Sequence, residues 1–335
     1  SVAAETQMVS YFDPTNNTAV SQSCTALTSG MTTLSSGWYY VPGGQSVNTY
    51  NLGIGTGQTV NLILCANSVL TARAGYDSGN AGISVPPDAA FSIYAEASGS
   101  APATPLGQLK ATGNFYGGAG IGGNNGNSNG TVNIYGGNID AKCDRRNGAG
   151  IGGGGGGNGG IINIYGGIVS AHGGGAGIGS GNFSNKNSNS GVINISNGII
   201  TANGAGGAGI GGGRYCDGGT INISGGVITA NGGQSCAGIG GGNEGSNGGI
   251  ITISGGSVTA TGNDGNGAGI GGGCFGEAGT INITSGVVAK VNNPSSSGAV
   301  NIGNGGNASG TNPTIYTASF NDASGNSVTL QYTTS

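Results

Sequence analysis

The chain has 335 residues, of which 80 are glycine, and it carries a formal net charge of −4 with only eight lysines and arginines. The irregular glycine spacing excludes a collagen triple helix, and 35% hydrophobic with 6% charged residues does not fit a disordered, highly charged chain. So few basic residues predict no nucleic-acid partner, and no apolar run is long enough to predict a membrane span.

The N-terminal third of the chain lacks the repeat seen further on. Residues 1–37 show no periodic pattern, and we expect them to form an extended N-terminal leader. Residues 38–117 contain strand-like segments with large side chains, such as VNLILC at 60–65 and FSIYAEA at 91–97. We interpret residues 38–117 as the irregular first coils of a β-helix. The chain begins SVAAETQ, without methionine, which is typical of a mature product after removal of a secretion signal.

Residues 118–313 repeat three short phrases about every 30 residues. The first phrase is GAGIGGG, with its isoleucine at Ile121, Ile151, Ile178, Ile210, Ile239, Ile270 and, in degraded form, Ile302. Phrases of the TINIS and VITA type follow it, and all three alternate with the period of two that indicates a β-strand. Three strands per coil, stacked like on like, predict an all-β, right-handed parallel β-helix.

Two further features follow from this register. The glycines of GAGIGGG are expected to leave one outer face without side chains, open to close approach by a partner. At the end of the chain, TIYTASF at 314–320 and NSVTLQY at 326–332 are bridged by a turn sequence. We therefore predict a C-terminal hairpin cap over residues 314–335.

Repeats of the form GAGIGGG followed by GG-I-x-I-x-GG-x-V-T-A cover about residues 107–303. They resemble the glycine-rich parallel β-helix proteins of microbial cell surfaces, which are adhesin-like. More loosely, they are similar to a bacterial family of calcium-binding, carbohydrate-binding β-helices. That family would imply aspartate ligands at repeated positions, where this sequence has glycine. We therefore predict no metal site and no cofactor.

Tyr135 and Tyr165 occupy the same outward position in consecutive coils, beside Asn133 and Asn163. A tyrosine pair with amide neighbours could bind a sugar through ring stacking and hydrogen bonds. The alternative is that the stacked rings simply stabilise the sheet. The asparagines belong to an outward column that is expected to form an amide ladder along the stack: Asn133, Asn163, Asn194, Asn222 and Asn282.

A third outward face carries β-branched side chains in register. Ile168, Ile199 and Val227 form one column, and the neighbouring column contains Thr201, Thr229 and Thr259. A flat, partly apolar strip of this kind indicates an interface. A second copy of the chain or a flat polysaccharide would fit it.

The six cysteines, the scarcity of lysine and the abundance of asparagine, serine, threonine and tyrosine favour an extracellular location. We expect structural disulfides, with a bond between Cys24 and Cys65 tying the leader to the first coils, although six cysteines allow fifteen pairings. The six are Cys24, Cys65, Cys143, Cys216, Cys236 and Cys274. Sequons that are candidate glycosylation sites begin at Asn16, Asn129, Asn182 and Asn307, and chance explains them equally well in this composition.

Three hypotheses for function remain at this point. The first is a secreted, non-catalytic subunit that self-assembles into an extracellular fibre or surface layer. The second is a carbohydrate-binding cell-surface adhesin, and the third is a polysaccharide lyase or hydrolase. Only Asp217, Glu244 and Glu277 approach an acidic cluster, and solvated corner charges are the simpler interpretation. Imaging, glycan binding and polysaccharide cleavage distinguish the three.

Overall fold

The computed structural model describes the backbone of residues 5–76, 78–143, 147–182, 189–263, 266–284, 288–292, 302–308, 319–321 and 327–329. Throughout these ranges the chain forms strands and turns, without a helix. It follows that no helix in the described part is suited to crossing a membrane.

The strands form three long sheets, here called sheets A, B and C, and a two-stranded hairpin of Ala97–Ser98 and Ala101–Pro102. Sheet A contains eleven strands: Thr6–Asp13, Thr18–Ala26, Gly37–Val41, Thr59–Leu64, Ala90–Ala95, Thr131–Ile134, Ile161–Ile164, Val192–Ile195, Thr220–Ile223, Ile250–Ile253 and Thr280–Ile283. Sheet B contains ten short strands: Thr33–Leu34, Leu52–Ile54, Ile83–Ser84, Ile121–Gly122, Ile151–Gly152, Ile178–Gly179, Ile210–Gly211, Ile239–Gly240, Ile270–Gly271 and Ile302–Gly303. Sheet C contains eleven: Ser46–Tyr50, Val69–Arg73, Gln108–Gly113, Asn138–Cys143, Ile168–Gly173, Ile199–Gly204, Val227–Asn231, Ser257–Thr261, Val288–Asn292, Ser319–Asn321 and Ser327–Thr329.

Successive coils pair in parallel, with equivalent residues side by side. In sheet B, Ile151 pairs with Ile178, and in sheet A, Asn133 pairs with Asn163. Each regular coil contributes one strand to each sheet, as the three repeated phrases predict. The predicted parallel β-helix with three strands per coil is confirmed.

The interior is a narrow apolar column. A regular coil points five apolar side chains inward, for example Ile221, Ile223, Ile228, Ala230 and Ile239, all of which are buried. Larger residues such as Phe91, Leu62 and Leu64 fill the first coils. Because the strands of sheets A and C alternate, the residue after an inward isoleucine there points outward, so the sequence also fixes which side chains of these two sheets face solvent.

The prediction of a bare glycine face open to a partner is wrong, because the GAGIGGG segments are buried on both sides. Residues 118–123 and 207–213 are buried throughout. A Cβ atom added to Gly150 would lie 2.6 Å from the Gly177 carbonyl oxygen and 2.6 Å from the His172 amide nitrogen. The missing side chains are therefore replaced by the backbone of the next coil, and no outside partner has access to this face.

The N-terminal leader also differs from the expectation, because it is a folded hairpin and not a single extended segment. Strand β1 (Thr6–Asp13) pairs antiparallel with strand β2 (Thr18–Ala26). Only Thr25 and Ala26 of β2 pair with the first coil. The rest of the hairpin packs over the outside of that coil and its neighbours, in a second small core: Val9, Cys24, Ala26, Tyr40, Ile63, Cys65 and Tyr94.

At the other end, Ser319–Asn321 and Ser327–Thr329 form an antiparallel pair. The first of these strands pairs with Val288–Asn292, so the hairpin continues sheet C. The remainder of the predicted cap at 314–335 lies outside the described residues.

Candidate functional site

An open groove of about 860 Å³ lies beside the corner that follows sheet C in the early coils. Four aromatic side chains and two cationic ones line it, which makes it unlike the rest of this charge-poor surface. We call it the aromatic groove. Its lining residues are Tyr50, Arg73, Ala74, Gly75, Tyr76, Thr112, Gly113, Asn114, Phe115, Tyr116 and Lys142.

The β-helix register places one row of groove residues. Tyr50 pairs with Arg73, Arg73 with Thr112, and Thr112 with Lys142, each at or near the end of a sheet C strand. Adjacent members are therefore about 4.8 Å apart along the axis of the β-helix. The wall opposite is supplied by two corner loops, which contain Tyr76 and Tyr116.

Two asparagines hold those corner loops in place. Asn51 Oδ1 accepts hydrogen bonds from the Gly75 amide nitrogen at 2.6 Å and from Asn80 Nδ2 at 3.2 Å. Asn51 itself adopts a φ of 52°, a left-handed conformation that asparagine tolerates better than most residues. The Asn51 amide thus fixes the start and the end of the first loop.

Asn114 joins the first loop to the second. Its buried Nδ2 donates to the carbonyl oxygens of Gly75 and Tyr76, the latter at 2.6 Å, and its Oδ1 accepts the Tyr116 N–H at 2.7 Å. Both aromatic loops are therefore anchored on one side chain. Such anchoring lowers the entropy lost when a ligand binds.

The aromatic side chains of the groove are unusually open to solvent. Tyr76 is 89% exposed, Tyr50 is 62% exposed and Tyr116 is 53% exposed. The Phe115 and Tyr116 rings meet edge to face at a centroid distance of 5.8 Å. Exposed rings on a rigid scaffold can stack against the C–H face of a sugar, and their hydroxyls can form hydrogen bonds.

The described lining of the groove carries cationic side chains on an acidic protein. No aspartate or glutamate is among the lining residues that the structure describes. Lys142 Nζ lies 3.2 Å from Asp140 Oδ2, whereas Arg73 is exposed and has no acidic partner within the described ranges. Arg73 can therefore donate hydrogen bonds to a ligand's hydroxyl or carboxylate oxygens.

The repeat pattern does not reveal the aromatic groove. Its residues come from separate corners of the irregular early coils and recur at no fixed spacing. The only signal in the sequence is that aromatic residues follow strand-like segments ending at Tyr50, Arg73 and Gly113. Their meeting depends on the stacking of the coils.

Tyr135 and Tyr165, the carbohydrate-binding candidates from the sequence, belong to a longer aromatic ladder. Tyr94 and Tyr135 stack at a centroid distance of 4.4 Å, and Tyr135 and Tyr165 at 4.7 Å. Trp38, in the strand Gly37–Val41 of the first coil, and Tyr11, in the N-terminal hairpin, extend the ladder beyond Tyr94. Burial raises the pKa of Tyr94 and of Tyr135 above the usual tyrosine range.

This stacking leaves little ring surface for a ligand. The rings of Tyr94 and Tyr165 stack on the two faces of Tyr135, and Tyr135 in turn covers one face of Tyr165. The geometry fits the alternative interpretation, in which the rings stabilise the sheet and the docked hairpin.

The predicted asparagine ladder is present from Asn133 to Asn222, and Thr252 lies between Asn222 and the last predicted member, Asn282. Asn163 Nδ2 donates to Asn133 Oδ1 at 2.8 Å, and Asn194 Nδ2 donates to Asn163 Oδ1 at 2.8 Å. Asn222 Nδ2 continues the chain to Asn194 Oδ1 at 2.9 Å. Because each amide bonds to the next coil, the main role of Asn133 and Asn163 in this geometry is structural.

The assembly-face candidates do point outward. The side chains of Ile168, Ile199 and Val227 are about half exposed and lie in adjacent strands of sheet C. Thr201, Thr229 and Thr259 form the parallel column. We call these six residues the sheet C strip.

The expected bond between Cys24 and Cys65 is not formed, which corrects that sequence-based prediction. All six cysteine side chains are buried. Cys24 and Cys65 do share the small core under the hairpin, yet their sulfur atoms are not bonded. Burial raises the pKa of the Cys24 thiol to about 11, and burial together with Glu96 raises that of Cys65 to about 12.

The four glycosylation candidates fall into two groups. Asn16, in the turn of the N-terminal hairpin, and Asn307 are exposed. Asn129 and Asn182 are buried, and their Nδ2 atoms donate to the carbonyl oxygens of Gly159 and Gly174. The folded chain therefore has no room for a glycan at Asn129 or Asn182.

The acidic trio is engaged in holding coils together. Asp217 Oδ1 accepts the Asn247 N–H at 2.6 Å, and Asn247 Oδ1 in turn accepts the Glu277 N–H at 2.9 Å. Glu244 pairs with Arg214 at 2.8 Å. Burial raises the pKa of Asp217, against the lowering effect of its hydrogen bond. Over the described ranges, histidine, cysteine and acidic side chains form no group of three suited to a metal ion.

Comparison with known proteins gives one family-level similarity. The Beta helix repeat family model matches residues 132–155, 162–182, 193–214, 221–243 and 251–274. Neither curated proteins nor solved structures give a significant match. The matched stretches each run from sheet A through sheet C to the following sheet B strand and its loop. The repeat match and the three stacked sheets together make this chain a parallel β-helix protein.

Proposed function

We propose that the protein is a secreted, non-catalytic β-helix that binds carbohydrate at a cell surface through its aromatic groove. One observation carries the proposal: four exposed aromatic side chains converge on a groove whose loops are anchored by Asn51 and Asn114. An aromatic cluster that stays exposed among all the described residues favours an external ligand.

The chemistry of the groove suits a sugar better than an apolar ligand. Each ring stacked on a sugar contributes roughly 0.5–1.5 kcal/mol. Three or four such contacts, with hydrogen bonds from Arg73 and from tyrosine hydroxyls, correspond to roughly millimolar to micromolar affinity. Affinity of this order suits a surface protein that presents many copies of a site.

The test is retention of purified protein on a glycan array. We expect Tyr76→Ala and Tyr116→Ala each to weaken retention about tenfold, which is the loss of one good contact. Tyr165→Ala is the matched variant, because it removes a tyrosine from the aromatic ladder instead of the groove. The groove is not the binding site if no glycan retains the wild type. It is also not the binding site if Tyr165→Ala abolishes retention while Tyr76→Ala and Tyr116→Ala leave it unchanged.

A separate measurement tests the proposal that the protein does not cleave polysaccharides. We expect no new reducing ends and no unsaturated sugar absorbance when the protein is incubated with a panel of polysaccharides. If the protein releases product and Asp217→Asn does not, catalysis is instead assigned to the acidic trio of Asp217, Glu244 and Glu277.

A second candidate function is self-assembly through the sheet C strip. The supporting observation is the half-exposed column of Ile168, Ile199 and Val227, which has the flatness of an interface. Negative-stain images and sedimentation would show filaments or oligomers that Ile199→Glu abolishes. Ile161→Glu, the same change at an exposed position on sheet A, is the control. Monomers at high concentration would eliminate this candidate.

A further inference from the structure

A second hollow of about 280 Å³ continues the line of the aromatic groove along the axis of the β-helix. The two share Lys142. The described lining of the second hollow has no tyrosine, phenylalanine or tryptophan and is made mainly of polar and very small residues: Lys142, Cys143, His172, Gly173, Gly174, Asn203, Gly204 and Ala205.

One row of equivalent positions runs beneath both hollows. From Lys142 the register continues to His172 and then to Asn203. Counted from Tyr50, the row spans five coil steps of about 4.8 Å, or about 24 Å. A side chain therefore recurs at intervals close to the length of one sugar unit, in a line perpendicular to the strands.

The far end of this row carries an ordered hydrogen-bond network. Asn203 Nδ2 lies 3.2 Å from His172 Nδ1, and His172 Nε2 lies 3.0 Å from Ser170 Oγ. Because an amide nitrogen only donates, His172 Nδ1 accepts, and Nε2 carries the proton in the neutral ring. Asn231 Nδ2 then donates to Asn203 Oδ1 at 2.8 Å. The polar groups at the second hollow are thus held in fixed orientations.

Small residues follow this network in the described part of the chain. Gly173 and Gly204 lie directly after His172 and Asn203, and Gly174 and Ala205 follow them. Among the described residues, a chain that lies in the aromatic groove and continues past Lys142 therefore passes over glycine and alanine.

We propose that the ligand is a linear, unbranched glycan bound along its length, parallel to the β-helix axis, with His172 and Asn203 forming a distal subsite. This inference rests on the proposed carbohydrate-binding function of the aromatic groove. The aromatic groove supplies stacking, and the distal subsite supplies a hydrogen bond from the second Nδ2 proton of Asn203, which the bond to His172 orients, to a sugar unit further along the same chain. Binding then requires an internal stretch of polysaccharide and increases with chain length.

The experiment measures affinity by calorimetry for two ladders of linear probes, cello-oligosaccharides and oligogalacturonates, from disaccharide to octasaccharide. We expect affinity to rise with length until the distal subsite is filled. His172→Ala and Asn203→Ala should each lower the affinity for the longest probe about fivefold to tenfold and leave the shortest bound probe unaffected. Ser224→Ala, which removes an exposed polar side chain directly after the sheet A strand Thr220–Ile223, is the matched control.

The outcomes separate the two proposals. If no probe of either ladder binds, and the glycan array is also negative, the carbohydrate-binding function itself fails. If short and long probes bind equally well, or if the distal variants change neither, the groove binds sugar but the distal subsite is refuted. Melting curves of His172→Ala and Asn203→Ala check that the coils remain folded. A conservative Asn203→Gln variant provides a second measurement should Asn203→Ala lose the fold.

Discussion

The substitution Asn114→Ala tests whether one buried amide holds both aromatic loops. Asn114 is 5% exposed and makes three hydrogen bonds, to the carbonyl oxygens of Gly75 and Tyr76 and from the Tyr116 N–H. Alanine removes the bonds to the Tyr76 carbonyl oxygen and from the Tyr116 amide nitrogen, while the Gly75 carbonyl oxygen still accepts from the Ser78 hydroxyl at 3.0 Å. At roughly 1 kcal/mol per lost bond, the free energy of unfolding should fall by about 3 kcal/mol.

The same substitution should weaken carbohydrate binding. Tyr76 and Tyr116 lie on the two loops that Asn114 joins, so their rings lose a fixed position when the amide is removed. We expect affinity for a retained glycan to fall about tenfold, because loosening a site costs binding even where its contact residues are intact.

Asn48→Ala is the control for Asn114→Ala. Asn48 is an exposed residue of sheet C, and no hydrogen bond from its side chain occurs in the described part of the chain. Its replacement should change the unfolding free energy by less than about 0.5 kcal/mol. Urea unfolding followed by circular dichroism gives the stability, and calorimetry gives the affinity. Equal urea midpoints for the two variants would refute the anchoring, and wild-type affinity in Asn114→Ala would refute its positioning role.

Three further predictions test the backbone packing and the thiols. Gly150→Ala should lose about 3 kcal/mol or more of stability, because the new methyl group meets the backbone of the next coil, whereas Gly30→Ala, in open space, should be neutral. Equal urea midpoints for these two variants would contradict the close stacking. Phe275 is exposed with a φ of 63°, so Phe275→Gly should gain about 0.5–1 kcal/mol, and a loss of stability would show that the ring packs on something. Cys24 and Cys65 should react with a thiol reagent at pH 8 only after unfolding, because their raised pKa values keep them protonated. In the folded protein, thiolates and reactivity should appear as the pH approaches 11, while prompt labelling at pH 8 would contradict their burial.

Three thiols with raised pKa values also determine how the free energy of unfolding changes at alkaline pH. The folded state holds the protons of Cys24, Cys65 and Cys274 more tightly than the unfolded chain does. Their contribution to the free energy of unfolding is fully present below the usual thiol pKa. It is lost as the pH rises through the folded pKa values, which are about 11 for Cys24 and about 12 for Cys65. A urea midpoint that falls less steeply with pH in Cys65→Ala than in the wild type would match this sign.

The sequence by itself determined the coil. A phrase that recurs about every 30 residues, with apolar residues alternating inside each part, can bury its isoleucines only by stacking like on like. The same register fixed the asparagine ladder and the outward direction of Ile168, Ile199 and Val227, because equivalent residues in a repeat must be neighbours in space.

Tertiary structure alone decided the features that do not repeat. The hairpin of β1 and β2 docks through Tyr11 on Trp38 and Tyr94, and no period in the sequence relates these residues. The burial of the GAGIGGG glycines depends on how closely the next coil approaches. The aromatic groove depends on three corners of unequal length lying side by side. Strand alternation is a local property, whereas contacts between irregular corners are set by chain distance and packing, and for that reason the sequence could predict the β-helix but not its groove.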